Sequence, residues 1–416
     1  MSRTTTFSKR GRGSVVRRFP TVAWLLAIAC ASGPSMQLAD EQLRDADGAG
    51  TPVSVEHVDS YRSLTLRALV WWAGLSKQLP VQHGIDRYRL TYRTTNAAGD
   101  SVEASGLMAL PRNTAPRAVA SYQHGTSSLR ADVPSTAGSQ EGLLAAALFA
   151  GHGYVLVAPD YVGLGLSTEP HPYLDADTAA RNTVDLLRAA RSVVQDRDIE
   201  WPGPLFLTGF SQGGQATVAA HRLLEREPVA GLQVRASAPI AGPFQLLSIS
   251  FPHALTSVAP SHSLYLAYIS QAYARIHAQP LGSIFRAPWA ERVPALFDGS
   301  HDGDEITATL PAHSRDLYRT DFLELYEAGA ESWYTRALAA NELHDWRPRA
   351  PLRLYYGALD LDVSTLESRA TADHMNGLGA DVTAVSVGDF DHDGSVLPAA
   401  VLIRAWFDEL GDAAAR

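Results

Sequence analysis

Thr208-Gly209-Phe210-Ser211-Gln212-Gly213-Gly214 sets a serine between two glycines, each two residues away. A serine hydroxyl is a weak nucleophile at neutral pH. It needs a base to take its proton, and the base needs an acid to orient it. Two residues far downstream fit those posts. Asp360 stands in "GALDLD" and His392 in "GDFDHDGS", so both follow Ser211 in the order acid, then histidine. Such a set would carry acyl transfer, with attack on a carbonyl, a proton passed to imidazole, and later hydrolysis of the acyl group.

The surrounding elements must put these residues together. "GPLFLTG" is a short apolar run and reads as a buried strand, and "QGGQATVAAHRLLER" reads as a helix. Ser211 then sits on an abrupt strand-to-helix turn, where glycine neighbours avoid a clash and the hydroxyl projects above the sheet. The helix start offers the Gln212 N–H and a positive dipole end to a developing oxyanion. A second donor is expected from the loop "YQHGTSS", where the N–H of Gly125 or Thr126 follows the turn at His124.

The acid and base pass a positional filter. Of the 14 histidines, only His374 and His392 lie beyond the point where strands resume, and His374 falls inside an expected helix. His392 follows the last strand, "DVTAVSV". Asp360 follows the strand "LRLYYG" and leaves the sheet at the same edge. Asp362, two residues on, is the rival; Asp360 is favoured because the G-x-x-D spacing ends the tight turn. Asp389 and Asp391 adjoin His392 in sequence and would need a contorted loop to orient it.

Before these strands, "DRYRLTYRTT" and "SVEASGLMALP" alternate around "NAAGD", the pattern of a β-hairpin. "VDSYRSLTLRALVWWAGL" reads as a helix from about Val58, capped by Asp59 or Ser60. From "RAVASYQ" onward, apolar strands alternate with helices, which implies right-handed crossovers and a mostly parallel sheet. The alternation stops near Pro243 and resumes after "DWRPRAP". Residues 243–345 are largely helical in pattern and rich in aromatics: Phe244, Phe251, Tyr265, Tyr268, Tyr273, Phe285 and Trp289. They suggest an apolar acyl site favouring short to medium chains, although most should form the insert's own core. The organisation expected is a leader over 1–31, a loose segment over 32–57, core over 58–242, a helical insertion over 243–345, and core again over 346–416.

The chain has 416 residues with a net charge of −9. Residues 1–20 carry Arg3, Lys9, Arg10, Arg12, Arg17 and Arg18 and no acid; the apolar run "TVAWLLAIACA" and small residues follow. That is the layout of a cleavable export signal, whose removal would leave a net charge of −15. So acidic a protein does not bind nucleic acid through bulk electrostatics, and no G-x-x-x-x-G-K-[ST] phosphate loop exists. Cys30 is the only cysteine, so after cleavage neither a disulfide nor a thiolate metal site is expected; "AIAC" also admits lipidation at Cys30. "SHDGDE", from Ser300, matches no oxygen-ligand loop spacing and reads as solvated.

The pieces "SYQHGT", "GYVLVAPDYVGLG", "HPYLDADTAARNTVDLLRAAR", "GFSQGG", "YYGALDLDV" and "DFDHDGS" resemble the α/β-hydrolase superfamily, and within it the secretory lipase and esterase group. The resemblance runs from about residue 85 to 410. It implies the α/β-hydrolase fold: a mostly parallel sheet with helices on both faces and a helical cap. It also implies a Ser211–Asp360–His392 triad, an oxyanion hole of Gln212 with Thr126 or Gly125, hydrolysis of small-molecule, lipid or polyester esters, no cofactor, no metal in the chemistry and no stable partner. Where some relatives carry an acid in the second-donor loop, this chain has His-Gly-Thr. An aminopeptidase, an acyltransferase or a non-catalytic ligand binder would use the same framework.

Overall fold

A computed structural model describes residues 48–257 and 259–414. The leader and Cys30 lie outside the described residues. Nine strands among those described form one sheet in the order β1-β2-β3-β5-β4-β6-β7-β8-β9. They are β1 (Pro52–Tyr61), β2 (Ile85–Thr95), β3 (Ser101–Pro111), β4 (Ala118–Gln123), β5 (Tyr154–Pro159), β6 (Leu205–Phe210), β7 (Val234–Ile240), β8 (Leu352–Tyr356) and β9 (Val382–Ser386). From β5 to β9 every pair is parallel, while β1, β2 and β3 join antiparallel at one side.

Twelve α-helices among the described residues accompany the sheet: α1 (Ser63–Trp72), α2 (Gln140–Leu148), α3 (Ala176–Gln195), α4 (Gln212–Arg226), α5 (Phe251–Thr256), α6 (His262–Ile276), α7 (Trp289–Leu296), α8 (Gly303–Thr309), α9 (Thr320–Glu327), α10 (Trp333–Ala340), α11 (Thr365–Gly377) and α12 (Val396–Ala414). Strand side chains point to opposite faces in turn. Leu205 and Leu207 of β6 therefore join the core under α3, α4 and α11. Phe206 joins the core under α1, α2 and α12, where it stacks on Phe407 with ring centroids 4.5 Å apart. Residues buried on both faces explain why β4 to β7 read as unbroken apolar runs. No helix among the described residues is long and apolar enough to cross a membrane.

One expected element differs. Residues 52–57, read as loose, and 58–61, read as the start of a helix, form the edge strand β1. Asp59 caps no helix; it pairs with the buried Arg87 across the strands. The segment "PVSVEHVDSY" carries three valines, Val53, Val55 and Val58, and pairing with β2 outweighs the helical pattern that follows it. Helix α1 starts only at Ser63, with Arg62 at its cap position.

Between β7 and β8 the chain leaves the sheet and builds a helical layer with its own apolar core, which includes Phe251, Tyr268, Tyr273, Phe285, Tyr318 and Tyr334. Tyr173 and Leu174, from the loop before α3, belong to that core as well. Phe244 is the exception among the aromatics of this stretch, since it packs into the main core. "SHDGDE" forms a capping box: Asp302 accepts from the Glu305 N–H at 2.8 Å and so starts α8. No group of three His, Cys, Asp or Glu suited to a metal ion occurs among the described residues.

Candidate active site

Strand register brings the site loops side by side. Gln123 pairs with Gly209 and Phe210 with Ile240, so the chains leaving β4, β6 and β7 emerge together at the carboxyl edge of the sheet. Ser211 takes φ 55° and ψ −116°, a backbone conformation that non-glycine residues seldom adopt. Its amide donates to Ile240 O at 2.9 Å, which holds the turn against β7. The glycines have a steric cause. A Cβ on Gly213 would lie 1.9 Å from Gln123 O, and one on Gly209 would lie 2.4 Å from Gly213 O. Strain of this kind persists only where surrounding structure enforces it, and it clusters at functional sites.

Asp360 leaves β8 and His392 follows β9, the two neighbouring strands at that end of the sheet. Their loops abut closely. Leu359 N donates to Phe390 O at 3.0 Å and Ala358 N to Gly388 O at 2.8 Å. A side chain at Gly357 would meet Phe390 O at 2.3 Å. Asp360 is divided between two tasks. Its Oδ2 accepts from His392 Nδ1 at 2.7 Å, while its Oδ1 accepts from the amides of Asp362 and Val363 at 3.0 and 2.9 Å. The carboxylate thus fixes the imidazole as the Nδ1–H tautomer with Nε2 free.

The His392 ring is buried and lies 4.6 Å from the ring of Phe210, the residue before Ser211. Its Nε2 is buried with no hydrogen-bond partner among the described residues. No hydrogen bond joins it to Ser211 Oγ; in ligand-free enzymes that bond is commonly long and tightens with substrate. Burial disfavours the imidazolium, but the hydrogen bond and charge of Asp360, with Asp362 and Asp393 beyond, outweigh burial and raise the His392 pKa above its ordinary 6.5.

The rival acid faces elsewhere. Asp362 accepts from Ser261 Oγ of the insert, and its carbonyl accepts from His262 Nε2 at 3.0 Å. Asp391 accepts from Gly394 N at 2.9 Å, and His374 pairs with Asp345 at the surface. Gln212 is the first residue of α4, so its N–H has no carbonyl within the helix to bond. Gly125 lies against Phe210, whose Cδ1 would be 3.0 Å from an added Cβ. The Thr126 hydroxyl is hydrogen-bonded to the Tyr173 hydroxyl at 2.8 Å.

A cavity of ≈ 60 Å³ touches Ser211. Leu246, Phe251, Leu266, Ile269 and Leu338 give it apolar walls, and Tyr265, His253, His262 and Asp362 give polar ones. Ligand clefts commonly enclose about 300–1,000 Å³, so this cavity is smaller than a typical one. Wider grooves of ≈ 420 and ≈ 480 Å³ adjoin Glu200, and neither is lined by a histidine or a serine.

Several residues here escaped the sequence reading. Asp160, fully buried, accepts from Ser105 Oγ at 2.7 Å and from the Ser135 N–H at 3.1 Å, and burial raises its pKa. Tyr161, at φ 68°, donates to His124 O at 3.2 Å. These two, with His171 and Tyr173, sit in the motifs "APDYVGLG" and "HPYLDAD". The motifs carried a family signal, but only packing reveals what each side chain holds.

No family model matches the chain, and no curated protein sequence matches it. Solved structures do. The chain is similar to a protein provisionally described as a hydrolase from Legionella pneumophila, at 27% identity over 86% of this chain and 98% of that one, with a TM-score of 0.81. It is similar to LipA of Xanthomonas oryzae, described as a rice cell wall degrading esterase, at 26% identity over 88% of this chain and 98% of that one, with a TM-score of 0.77. Candida antarctica lipase A in its closed state shares the fold at 14% identity, with 87% of this chain and 83% of that one covered and a TM-score of 0.65.

Proposed function

We propose that this chain, an α/β-hydrolase of the lipase and esterase-like group, is a serine hydrolase that cleaves carboxylic esters through an acyl-enzyme. The observation that carries the reading is the buried, partnerless Nε2 of His392, whose other nitrogen is held by Asp360, on a ring packed beside the strained Ser211 turn. A buried acceptor without a donor costs about 1–3 kcal/mol, a cost that native structures keep where the atom has a task. Taking a proton from a serine is such a task.

In the first step Ser211 Oγ bonds to the ester carbonyl carbon while His392 Nε2 takes the hydroxyl proton. Asp360 stabilises the imidazolium. The carbonyl oxygen becomes an oxyanion facing the Gln212 N–H and the N–H of Thr126 or Gly125. His392 then gives the proton to the leaving alkoxide, and the alcohol departs. Water repeats the sequence on the acyl-enzyme, and the acid and free Ser211 result. The apolar walls of the cavity suit an acyl chain of short to medium length, provided that they part to admit it.

Ser211→Ala tests the reading. Hydrolysis of p-nitrophenyl butyrate should fall by several orders of magnitude, and stoichiometric labelling by a fluorophosphonate should be lost. Wild-type rates in that variant would end it. The basic and apolar leader supports export as part of the same proposal, and mass analysis of the N-terminus of secreted protein checks it.

A further inference from the structure

His171-Pro172-Tyr173 lies in a loop that the mechanism above leaves without a task. Both flanking side chains are buried, and each reaches a candidate oxyanion donor, His171 to Gln212 and Tyr173 to Thr126. His171 Nδ1–H donates to Val162 O at 2.8 Å. That bond fixes the tautomer, so His171 Nε2 accepts from the Gln212 side-chain amide at 2.8 Å. Gln212 Oε1 is buried and unpartnered, so His171 is the only group bonded to that side chain among the described residues. Two residues along, the Tyr173 hydroxyl bonds Thr126 Oγ1 at 2.8 Å.

The insert closes this arrangement from above. Tyr268 of α6 stacks on Tyr173, with centroids 4.3 Å apart and planes 5° from parallel, and Phe297 covers its other face at 4.3 Å. The Tyr268 hydroxyl donates to Ser127 O at 3.3 Å, on the residue after Thr126. Ordinary packing explains the stack. It does not explain why the two polar tips of one short segment end on Gln212 and Thr126.

We propose that His171 and Tyr173 are positioning residues that set the Gln212 and Thr126 amides for the oxyanion, and that Tyr268 locks the pair from the insert. The inference rests on the ester-hydrolase reading and deepens it. Donors preorganised for charge that develops in the transition state act on kcat and leave substrate binding largely alone. A donor displaced slightly loses part of the effect.

Tyr173→Phe in the full-length protein removes one hydroxyl and keeps the stack. With p-nitrophenyl butyrate, kcat should fall about tenfold while KM changes less than about twofold. Affinity for a trifluoromethyl ketone, which forms an oxyanion on Ser211, should fall by the same factor as kcat/KM. Thr126→Val should match Tyr173→Phe, the double variant should be no worse than either, and Thr126→Ser should restore activity. His171→Gln, which keeps an acceptor, should retain more activity than His171→Phe. Unchanged kcat and ketone affinity in Tyr173→Phe would overturn the proposal while a labelled, active wild type leaves the ester-hydrolase reading standing. A wild type that takes neither fluorophosphonate nor ester would sink both.

Discussion

Glu367→Gln should make the protein more stable at alkaline pH, although it removes a charge that accepts three hydrogen bonds. Glu367 sits on α11, fully buried. Its Oε2 accepts from the amides of Phe244 and Gln245 at 2.9 and 2.8 Å, and its Oε1 accepts from Ser250 Oγ. Those bonds tie down the entry to the insert, where Leu246, Ser250 and Phe251 line the cavity at Ser211. No cation among the described residues faces the carboxyl. Burial raises its pKa from 4.5 to about 7 against the pull of the hydrogen bonds, and Glu342 adds repulsion. Between those values the native protein keeps a proton that the unfolded chain releases. The stabilising contribution is therefore complete below pH 4.5 and is lost as pH rises through about 7. At about 1.4 kcal/mol per pH unit, the loss amounts to roughly 3 kcal/mol. A glutamine oxygen still accepts from both amides, and its NH2 can donate to Ser250 Oγ, so the variant keeps the anchor and has nothing to ionise. Urea unfolding at intervals from pH 4.5 to 8 should show the stability difference between variant and wild type moving by about 3 kcal/mol in favour of the variant. Parallel profiles, differing by a constant across that range, would refute the argument.

Because Asp360 raises the His392 pKa, the acidic limb of kcat/KM should lie above the ordinary 6.5, with activity growing as pH rises and the imidazole loses its proton. Asp360→Asn should lower that limb and reduce kcat by roughly a thousandfold or more, as measured by pH–rate profiles with p-nitrophenyl butyrate. An unchanged limb would assign the histidine's partner wrongly. Gly213→Ala places a Cβ where Gln123 O stands, 1.9 Å away, so the elbow must shift. We expect loss of fluorophosphonate labelling together with a lowered Tm; a fully labelled variant at wild-type Tm would mean the turn tolerates a side chain.

Local pattern suffices to specify the periodic parts of this protein. Strands buried on both faces read as unbroken apolar runs, the hairpin around "NAAGD" announced itself through its turn residues, and the glycines beside Ser211 marked a turn that excludes a Cβ. Those signals are local, since each depends on residues within one element or one turn. The edge strand β1 was misread because its pairing with β2, more than 20 residues away, decides its conformation, and Asp59 found Arg87 there in place of a helix cap. Contacts between loops distant along the chain follow from packing. The contacts of Asp360 and Asp362, neighbours of the same type, diverge because one carboxylate turns to His392 and the other to Ser261. The tasks of His171, Tyr173 and Glu367 were likewise invisible, because a hydrogen bond across 41, 47 or 122 residues leaves no spacing in the sequence.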